Sequence, residues 1–265
     1  IAEIFRKQLA GNPRAWIFTS ATLSVKSDFG HYCREMGLEA AATACWESPF
    51  DYESQGLLYV PEGLPHPNTP EFTSAVVDAA LPVIRASRGR AFLLFTSLKA
   101  MEQAYALLKD AFAAQGLDYP LLLQGQVPRS EMLSRFRDLG DAVLVGSHSF
   151  WEGVDVRGEA LSLVVIDRLP FSPPDDPVLA ARIEALNRAG RNAFMEYQLP
   201  EAVITLKQGA GRLIRDETDR GVLMICDPRI VTKSYGSRIW KSLPPMRRTR
   251  LLAEVERFFT EAVLG

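Results

Sequence analysis

Short apolar runs alternate with longer amphipathic stretches along most of this 265-residue chain. Runs that are apolar at every position, rather than at alternate positions, are typical of strands buried on both faces of a sheet. Because these runs alternate with helix-length stretches, the pattern predicts an α/β fold with a mostly parallel sheet and helices on both of its faces. The predicted strands are Leu57–Val60, Ala91–Phe95, Pro120–Gln124, Ala142–Val145, Leu161–Ile166 and Val222–Cys226.

Amphipathic spacing predicts helices between and after these strands. One begins after Ser97, whose hydroxyl is placed to cap it, and another follows Pro128. A third runs from Arg247 to Val263 and closes the chain as an amphipathic helix. Their inner faces carry Leu98, Met101, Tyr105, Leu108 and Phe112 in the first helix, Met132, Leu133 and Phe136 in the second, and Leu252, Val255, Phe259 and Val263 in the third.

The segment from Cys45 to Pro70 contains several prolines and little periodicity, which predicts a domain boundary or a long connection. Before it, Trp16–Leu23 is predicted to form a strand that runs into a loop. We therefore assign residues 1–49 to the remnant of a preceding domain and residues 50–265 to one main domain. Since the chain starts with Ile1 inside a predicted helix, we expect it to be a piece of a longer protein.

Composition excludes several classes of protein. The chain has 30 Lys and Arg and 32 Asp and Glu, so it has no overall positive charge to attract nucleic acid. A local basic groove can still bind it. Cys33, Cys45 and Cys226 are too few and too far apart for a disulfide framework or a CxxC metal site, and we expect no metal. With no apolar run long enough to cross a bilayer and no signal peptide, the chain is predicted to be cytoplasmic, without a membrane partner.

The segment Gln208–Arg215 has the sequence QGAGRLIR. On a helix, Gln208, Arg212 and Arg215 share one face. A guanidinium is always charged and donates hydrogen bonds in a fixed fork, which suits the γ-phosphate of a nucleotide and the charge that develops during its transfer. Arg212 and Arg215 therefore suggest an arginine finger. The alternative is a surface helix with solvated arginines.

A polar loop, GSHSFWEGVD from Gly146 to Asp155, follows a predicted strand. Open α/β sheets bind ligands outside the carboxyl ends of their strands. Gly153 permits an unusual turn, and Asp155 has oxygens that orient an arginine or accept from a ribose hydroxyl. Trp151 either stacks on a base or packs as an ordinary core aromatic.

Hydroxyl groups follow two other predicted strands. Thr96 and Ser97 lie where a strand ends and a helix begins, so they suit a DNA phosphate, and the alternative is simple capping by Ser97. Thr19, Ser20 and Thr22 follow the predicted strand near the start of the chain.

Taken in order, the stretches TSATL, LFTS, SFWEGVDVRG with IDRLPFSPPDDP, and QGAGRLIR resemble motifs III, IV, V and VI of superfamily 2 helicases. The residues of these motifs are similar to those of the XPD/DinG group, and within it to those of the bacterial DinG/YoaA branch. The resemblance implies a RecA-like P-loop NTPase fold. It also implies the second motor domain of an ATP-dependent DNA helicase that moves 5′ to 3′ on single strands in DNA repair or replication.

The resemblance also implies roles for individual residues. The residues implied to face the γ-phosphate of ATP are Gln208, Arg212 and Arg215. Those implied to line the nucleotide cleft are Gly153, Asp155 and Gly211. The residues implied to contact single-stranded DNA are Thr96, Ser97, Ser149 and Trp151. Those implied to couple the two sites are Thr19, Ser20 and Thr22.

The chain departs from the full helicase pattern because it has no GxxxxGK[ST] loop and no DEAH-like acidic box. We expect Asp216–Asp219 to be an exposed acidic turn rather than a substitute. The chain is therefore expected to be inactive alone and to act on ATP with Mg²⁺ that it shares with the missing N-terminal half. The resemblance implies an iron–sulfur cluster in the full-length protein, but the cluster cysteines are missing here.

A second hypothesis is a protein-docking module. The C-terminal helix and the residues near Arg247–Phe259 would then recruit the helicase to the replication machinery, and the resemblance suggests a clamp-loader subunit of the replicase as partner. Phe258 and Phe259 discriminate between the hypotheses. Packing alone buries at least one of them, whereas an exposed apolar patch of both beside the arginines favours docking.

Overall fold

The computed structural model describes residues 2–11, 14–20, 22–25, 27–46, 48–147, 150, 160–173 and 175–261. The chain divides into two compact units. The first consists of Ile1–Ser48 and Phe171–Lys207, and the second consists of Pro49–Pro170 and Gln208–Gly265. The segment Phe171–Lys207 thus belongs to the first unit although it interrupts the second along the sequence. The assignment of residues 1–49 to a preceding motor domain stays a prediction.

Helices and strands alternate along most of the described residues. Within the described residues, the helices α1 to α11 are Ala2–Ala10, Gly30–Met36, Tyr52–Gln55, Phe72–Ala86, Leu98–Gln115, Arg129–Leu139, Pro177–Arg188, Leu199–Ala210, Arg229–Thr232, Gly236–Trp240 and Leu252–Glu261. The strands β1 to β7 are Gly56–Tyr59, Ala91–Phe95, Leu121–Leu123, Val143–Ser147, Leu163–Ile166, Gly221–Ile225 and Arg247–Thr249. A π-helical turn, Phe194–Gln198, leads directly into α8.

The strands form one sheet in the second unit. Among the described residues it has seven strands in the order β3-β4-β2-β5-β6-β1-β7, and each pair of neighbours is parallel. Ala91 of β2 pairs with Val143 of β4 on one side and with Leu163 of β5 on the other. The six predicted strands are confirmed, with ends that shift by one or two residues.

Both faces of the sheet are covered. Leu93 and Phe95 of β2 lie in a buried cluster with apolar residues of α4, α5 and α11. Phe92, which precedes Leu93 along β2, points to the opposite face, where its ring centroid lies 4.6 Å from that of Phe136 in α6. Successive side chains of a strand alternate between faces, so the predicted helices on both faces are confirmed.

Local signals set the ends of the predicted helices. Ser97 caps α5, since its Oγ accepts from the N–H of Ala100 at 3.2 Å. Gly116 ends the same helix with a φ of 62° and Gly140 ends α6 with a φ of 74°, in the left-handed region that glycine adopts without strain. Both helices are confirmed where the sequence predicts them.

The closing segment differs from its prediction. The residues Arg247–Thr249 form the edge strand β7, and α11 begins only at Leu252. Thr249 is buried while Arg247 and Arg248 are exposed, so the strand has too little apolar character to stand out in the sequence. It is decided by pairing with β1, in which Leu57 lies opposite Arg247.

The predicted strand at Trp16–Leu23 is also wrong. A strand requires a neighbouring strand for its hydrogen bonds, and the backbone of residues 14–20 makes none with any other described residue. Instead, the rings of Trp16 and Phe18 pack on Phe5, with centroids 5.9 Å and 5.7 Å away.

Polar contacts also join the parts of the first unit. His31 Nε2 lies 2.7 Å from Glu201 Oε1, and the Lys207 ammonium donates to the carbonyl of Ser24 at 3.0 Å. These contacts connect residues from both of its segments. No described helix combines the length and the apolar composition that crossing a membrane requires.

Candidate functional site

The arginine segment, residues 211–215, lies beyond the end of α8. The helix ends at Ala210, and the next turn is tighter, because the N–H of Arg212 donates to Gly209 O and that of Leu213 to Ala210 O, both at 3.2 Å. The prediction that Gln208, Arg212 and Arg215 share one helix face is therefore wrong. Glycines on both sides of Ala210 weaken the helix there.

Two apolar residues fix the arginine segment from below. Leu213 and Ile214 are only 1% and 2% exposed. Leu213 packs directly on Gly221, the first residue of β6, where a Cβ atom would lie 2.5 Å from Leu213 Cδ1. Burial of Leu213 and Ile214 leaves the half-buried side chains of Arg212 and Arg215 on either side of this anchor.

Two polar side chains fix its backbone. Asp219 is 8% exposed, and its Oδ2 accepts from the N–H groups of Arg215 and Asp216 at 2.8 Å and 3.0 Å. The side-chain amide of Gln55 donates to the carbonyls of Asp216 and Asp219 at 2.8 Å and 2.9 Å. The expectation of an exposed acidic turn holds for Asp216 and Glu217 and is wrong for Asp219, whose carboxylate is consumed by backbone donors.

These contacts place the arginine segment at the amino edge of the sheet. It leads into β6, and Gln55 directly precedes β1, the neighbour of β6. Gln208, in the last turn of α8, is half-buried, and Gly211 is exposed. The four predicted γ-phosphate and cleft residues that are described therefore lie within one short stretch at this edge.

Thr96 and Ser97 lie at the opposite, carboxyl edge. Thr96 follows β2, and Asp167 follows the neighbouring strand β5. The N–H of Thr96 donates to Asp167 Oδ1 at 3.0 Å and its hydroxyl donates to Oδ2 at 3.4 Å. The N–H of Arg168 donates to the same Oδ1 at 2.7 Å. One carboxylate thus joins the carboxyl end of β2 to the carboxyl end of β5.

Asp167 is nearly inaccessible, with 2% of its surface exposed. Burial raises its pKa to about 7, against the opposing effects of the Arg168 charge and of the hydrogen bonds from Arg168 and Thr96. The carboxylate of this residue is therefore costly to ionise, and its hydrogen bonds offset only part of that cost.

Further buried polar groups continue along the carboxyl edge. Asp227, after β6, is fully buried, accepts from the N–H of Leu169 at 2.9 Å and pairs with the Arg229 guanidinium at 2.6 Å. Ser147, at the end of β4, donates through its N–H and its hydroxyl to Gln124 Oε1 at 2.6 Å and 3.0 Å. The ends of four strands thus carry polar groups.

The remaining predicted site residues lie elsewhere. Thr19, Ser20 and Thr22 belong to the first unit, where Ser20 Oγ lies 3.2 Å from both the N–H and the hydroxyl of Thr22. Ser149, Trp151, Gly153 and Asp155 fall outside the described residues.

Sequence reasoning missed Gln55, Asp167, Asp219 and Asp227. Two of them had a usable signal, because Asp167 directly follows the apolar run of β5 and Asp227 comes two residues after β6. A carboxylate at such a position lies at the carboxyl edge of a parallel sheet. Gln55 and Asp219 had none. In the part of the chain that the structure describes, no group of three or more His, Cys, Asp or Glu residues is arranged to hold a metal ion.

The family model of the helicase C-terminal domain matches residues 80–246, which is more than half of the chain. The chain therefore belongs to the helicase C-terminal domain family, and the resemblance to the XPD/DinG helicases is confirmed.

Individual relatives agree with this assignment. The chain is 48% identical over 258 residues to the ATP-dependent DNA helicase YoaA of Escherichia coli (strain K12), covering 97% of this chain and 40% of that protein. It is 36% identical over 261 residues to the ATP-dependent helicase DinG of Mycobacterium tuberculosis (strain H37Rv), covering 96% of this chain and 38% of that protein. The chain thus spans about 40% of the length of these relatives.

Solved structures agree on the fold. The chain superposes on an apo structure of XPD with a TM-score of 0.54 at 19% identity, covering 76% of this chain and 40% of that one. The predicted RecA-like α/β fold is confirmed.

Proposed function

We propose that this chain is the C-terminal motor domain of an ATP-dependent DNA helicase that moves 5′ to 3′ on single strands during DNA repair or replication. The names of the relatives support ATP-driven action on DNA. Their length supports a partner domain in the same protein, since this chain spans only about 40% of them. That N-terminal motor domain would bind ATP with Mg²⁺, and this chain would complete the site.

The observation that carries the proposal is the anchored arginine segment. Arg212 and Arg215 lie on a backbone that Leu213, Asp219 and Gln55 hold in place. A fixed backbone limits the reorganisation that their guanidinium groups need before they meet the charge that develops on a transferred phosphate. Gln208 and Gly211, with Gly153 and Asp155, would complete the nucleotide cleft.

Single-stranded DNA would bind at the carboxyl edge. The exposed Ser97 at the start of α5 supports this placement, and Thr96, Ser149 and Trp151 complete the proposed DNA contacts. Among the described residues, the arginine segment precedes β6 and Ser97 follows β2, so these parts of the two proposed sites lie at opposite edges of the parallel sheet. Thr19, Ser20 and Thr22 would couple them.

The residues of this chain do not fit an iron–sulfur cluster. Such clusters are held by four ligands, usually cysteine thiolates, and this chain has three cysteines, of which Cys226 is buried. The cluster that the family resemblance implies belongs, in this proposal, to another part of the full-length protein.

The test is DNA-stimulated ATP hydrolysis by the full-length protein. Arg212→Ala and Arg215→Ala should each lower the maximal rate by about 10³-fold or more. Arg135→Ala is the matched control, because Arg135 is exposed on α6 and pairs only with Glu131 at 2.7 Å among the described residues. Turnover retained by both Arg212→Ala and Arg215→Ala, with intact circular dichroism, would overturn the assignment.

The docking hypothesis loses the feature that was to favour it. Phe258 is 2% exposed and Phe259 is 7% exposed, so they form no apolar patch on the surface. The guanidinium carbon of Arg220 lies 4.3 Å from the centroid of the Phe258 ring and covers it. Recruitment through the C-terminal helix, with a clamp-loader subunit as partner, stays a prediction.

A further inference from the structure

The ends of β2 and β5 form a switch point in the sheet. The two strands are neighbours, but the chain leaves β2 through α5 toward β3 at one end of the sheet, and it continues from β5 toward β6 and the other end. Adjacent strands whose connections diverge leave a crevice outside their carboxyl ends, where open α/β sheets bind ligands. Thr96 and Asp167 are the first residues beyond these two strands.

Asp167 determines which donors point into this crevice. Its carboxylate accepts both the N–H and the hydroxyl proton of Thr96. A phosphate oxygen can only accept hydrogen bonds, so Thr96 has no donor left for it. The neighbouring Ser97 differs, because its Oγ accepts from the N–H of Ala100 and its own proton remains available.

Arg168 supplies a charge at the same place. Its side chain is 27% exposed, and its guanidinium carbon lies 4.9 Å from the centroid of the Phe72 ring. Its Nε lies 3.7 Å from Asp167 Oδ2, too far for a hydrogen bond. Among the described residues, no side-chain nitrogen of Arg168 donates a hydrogen bond, and its buried Nε has no hydrogen-bond partner. A guanidinium held by a ring and a nearby carboxylate, with donors to spare, suits an external anion.

We propose that Ser97 and Arg168 bind one phosphate of the DNA strand at this switch point, and that Asp167 is the positioning residue that orients both. The inference rests on the proposed function and refines its DNA site. Ser97 donates its hydroxyl proton to the phosphate, and Arg168 donates through its guanidinium. Asp167 fixes the backbone on both sides and occupies both donors of Thr96, so in this refined site Arg168 replaces Thr96 as a direct DNA contact.

The experiment measures DNA-stimulated ATP hydrolysis by the full-length protein as a function of the concentration of an oligothymidylate. Loss of a phosphate contact raises the DNA concentration at half-maximal rate, whereas a purely structural defect lowers the maximal rate. Arg168→Gln should raise the half-saturating concentration by about tenfold and lower the salt dependence of binding by about one ion. Arg135→Gln is the matched control and should shift neither quantity.

Three other variants separate the roles. Ser97→Gly removes the hydroxyl but keeps a residue that is acceptable at a helix N-cap, and should raise the half-saturating concentration about threefold or more. Thr96→Val should shift it less than Ser97→Gly does. Asp167→Asn should raise it about as much as Arg168→Gln, with a maximal rate within about twofold of that of the unmodified protein.

The outcomes are separable. If Thr96→Val matches or exceeds Ser97→Gly, or if Asp167→Asn lowers only the maximal rate, the inference is wrong. If Arg168→Gln leaves half-saturation unchanged while DNA still stimulates hydrolysis, the inference fails and the proposed function stands. If DNA does not stimulate hydrolysis at all in the unmodified protein, it is the proposed function that fails.

Discussion

The amino edge and the carboxyl edge of the sheet hold their polar side chains by different means. At the amino edge, burial of Leu213 and Ile214 anchors the arginine segment. The side chains of Gln55 and Asp219 add hydrogen bonds to backbone groups. At the carboxyl edge, the buried carboxylates Asp167 and Asp227 also contact cationic side chains. The amino-edge side chains thus hold backbone alone, whereas the carboxyl-edge carboxylates hold backbone and cationic side chains together.

The difference indicates how each edge tolerates change. A backbone anchored by packing responds mainly to changes of volume, because protein interiors are close-packed. A buried ion pair responds most to the removal of one partner, since the other charge is then left without compensation. Three substitutions, from the largest expected effect to the smallest, and then one pH titration test this contrast.

Asp227→Ala should be the most damaging change at the carboxyl edge. It removes the carboxylate that pairs with the Arg229 guanidinium and accepts from the Leu169 N–H, at a cost of about 3 kcal/mol or more in the free energy of unfolding. Urea denaturation of the full-length protein, followed by tryptophan fluorescence, measures the shift. Adding Arg229→Met should recover part of the loss, and a double variant less stable than Asp227→Ala alone would contradict the ion-pair explanation.

Gly221→Ala should be the corresponding volume change at the amino edge. The new Cβ would lie 2.5 Å from Leu213 Cδ1 and 2.6 Å from the carbonyl oxygen of Ser162, so backbone must move. We expect a loss of about 1–3 kcal/mol and a lower maximal ATPase rate, because the arginine segment shifts with Leu213. Gly11→Ala is the control, since its Cβ would meet nothing closer than 3.7 Å. Equal effects of the two substitutions would refute the packing argument.

Asp219→Asn should have a smaller effect. The amide keeps the shape and one acceptor oxygen, but it loses the charge that strengthens the bonds from Arg215 and Asp216. A loss of about 1 kcal/mol and a partial loss of DNA-stimulated ATPase are expected. The exposed Asp216→Asn provides the comparison in the same turn, and the idea is untenable if it costs as much as Asp219→Asn.

The titration of Asp167 tests the carboxyl edge through pH rather than through a change of volume or of a partner. Burial raises the pKa of Asp167 in the folded protein to about 7, above the ordinary value of 3.8. The native state therefore binds more protons than the unfolded state between these pH values. This contribution to stability is complete below about pH 4 and is lost as the pH rises through 7. The denaturation midpoint of the unmodified protein should therefore fall relative to that of Asp167→Asn between about pH 5 and about pH 8. A difference that is constant over this range would show that Asp167 does not titrate there.

Much of the fold follows from the sequence because the buried strands are continuous apolar runs, and burial on both faces demands such runs. The edge strand Arg247–Thr249 lacks this signal, since two of its three residues are exposed. The sequence analysis missed the end of α8 because Gln208, Arg212 and Arg215 keep helical spacing past Ala210, where the helix ends. Periodicity describes which residues share a face only as long as the helix persists.

The sequence by itself determined the parallel α/β architecture, the helicase family and the identity of the arginine segment, because these depend on local composition and on short motifs. Only the tertiary structure decided that the arginines and Ser97 lie at opposite edges of the sheet. It alone decided that Asp167 binds Thr96, 71 positions away, and that Gln55 holds Asp216, 161 positions away. Such pairings depend on strand order, which no local pattern encodes, and they decide which donors remain available to a ligand.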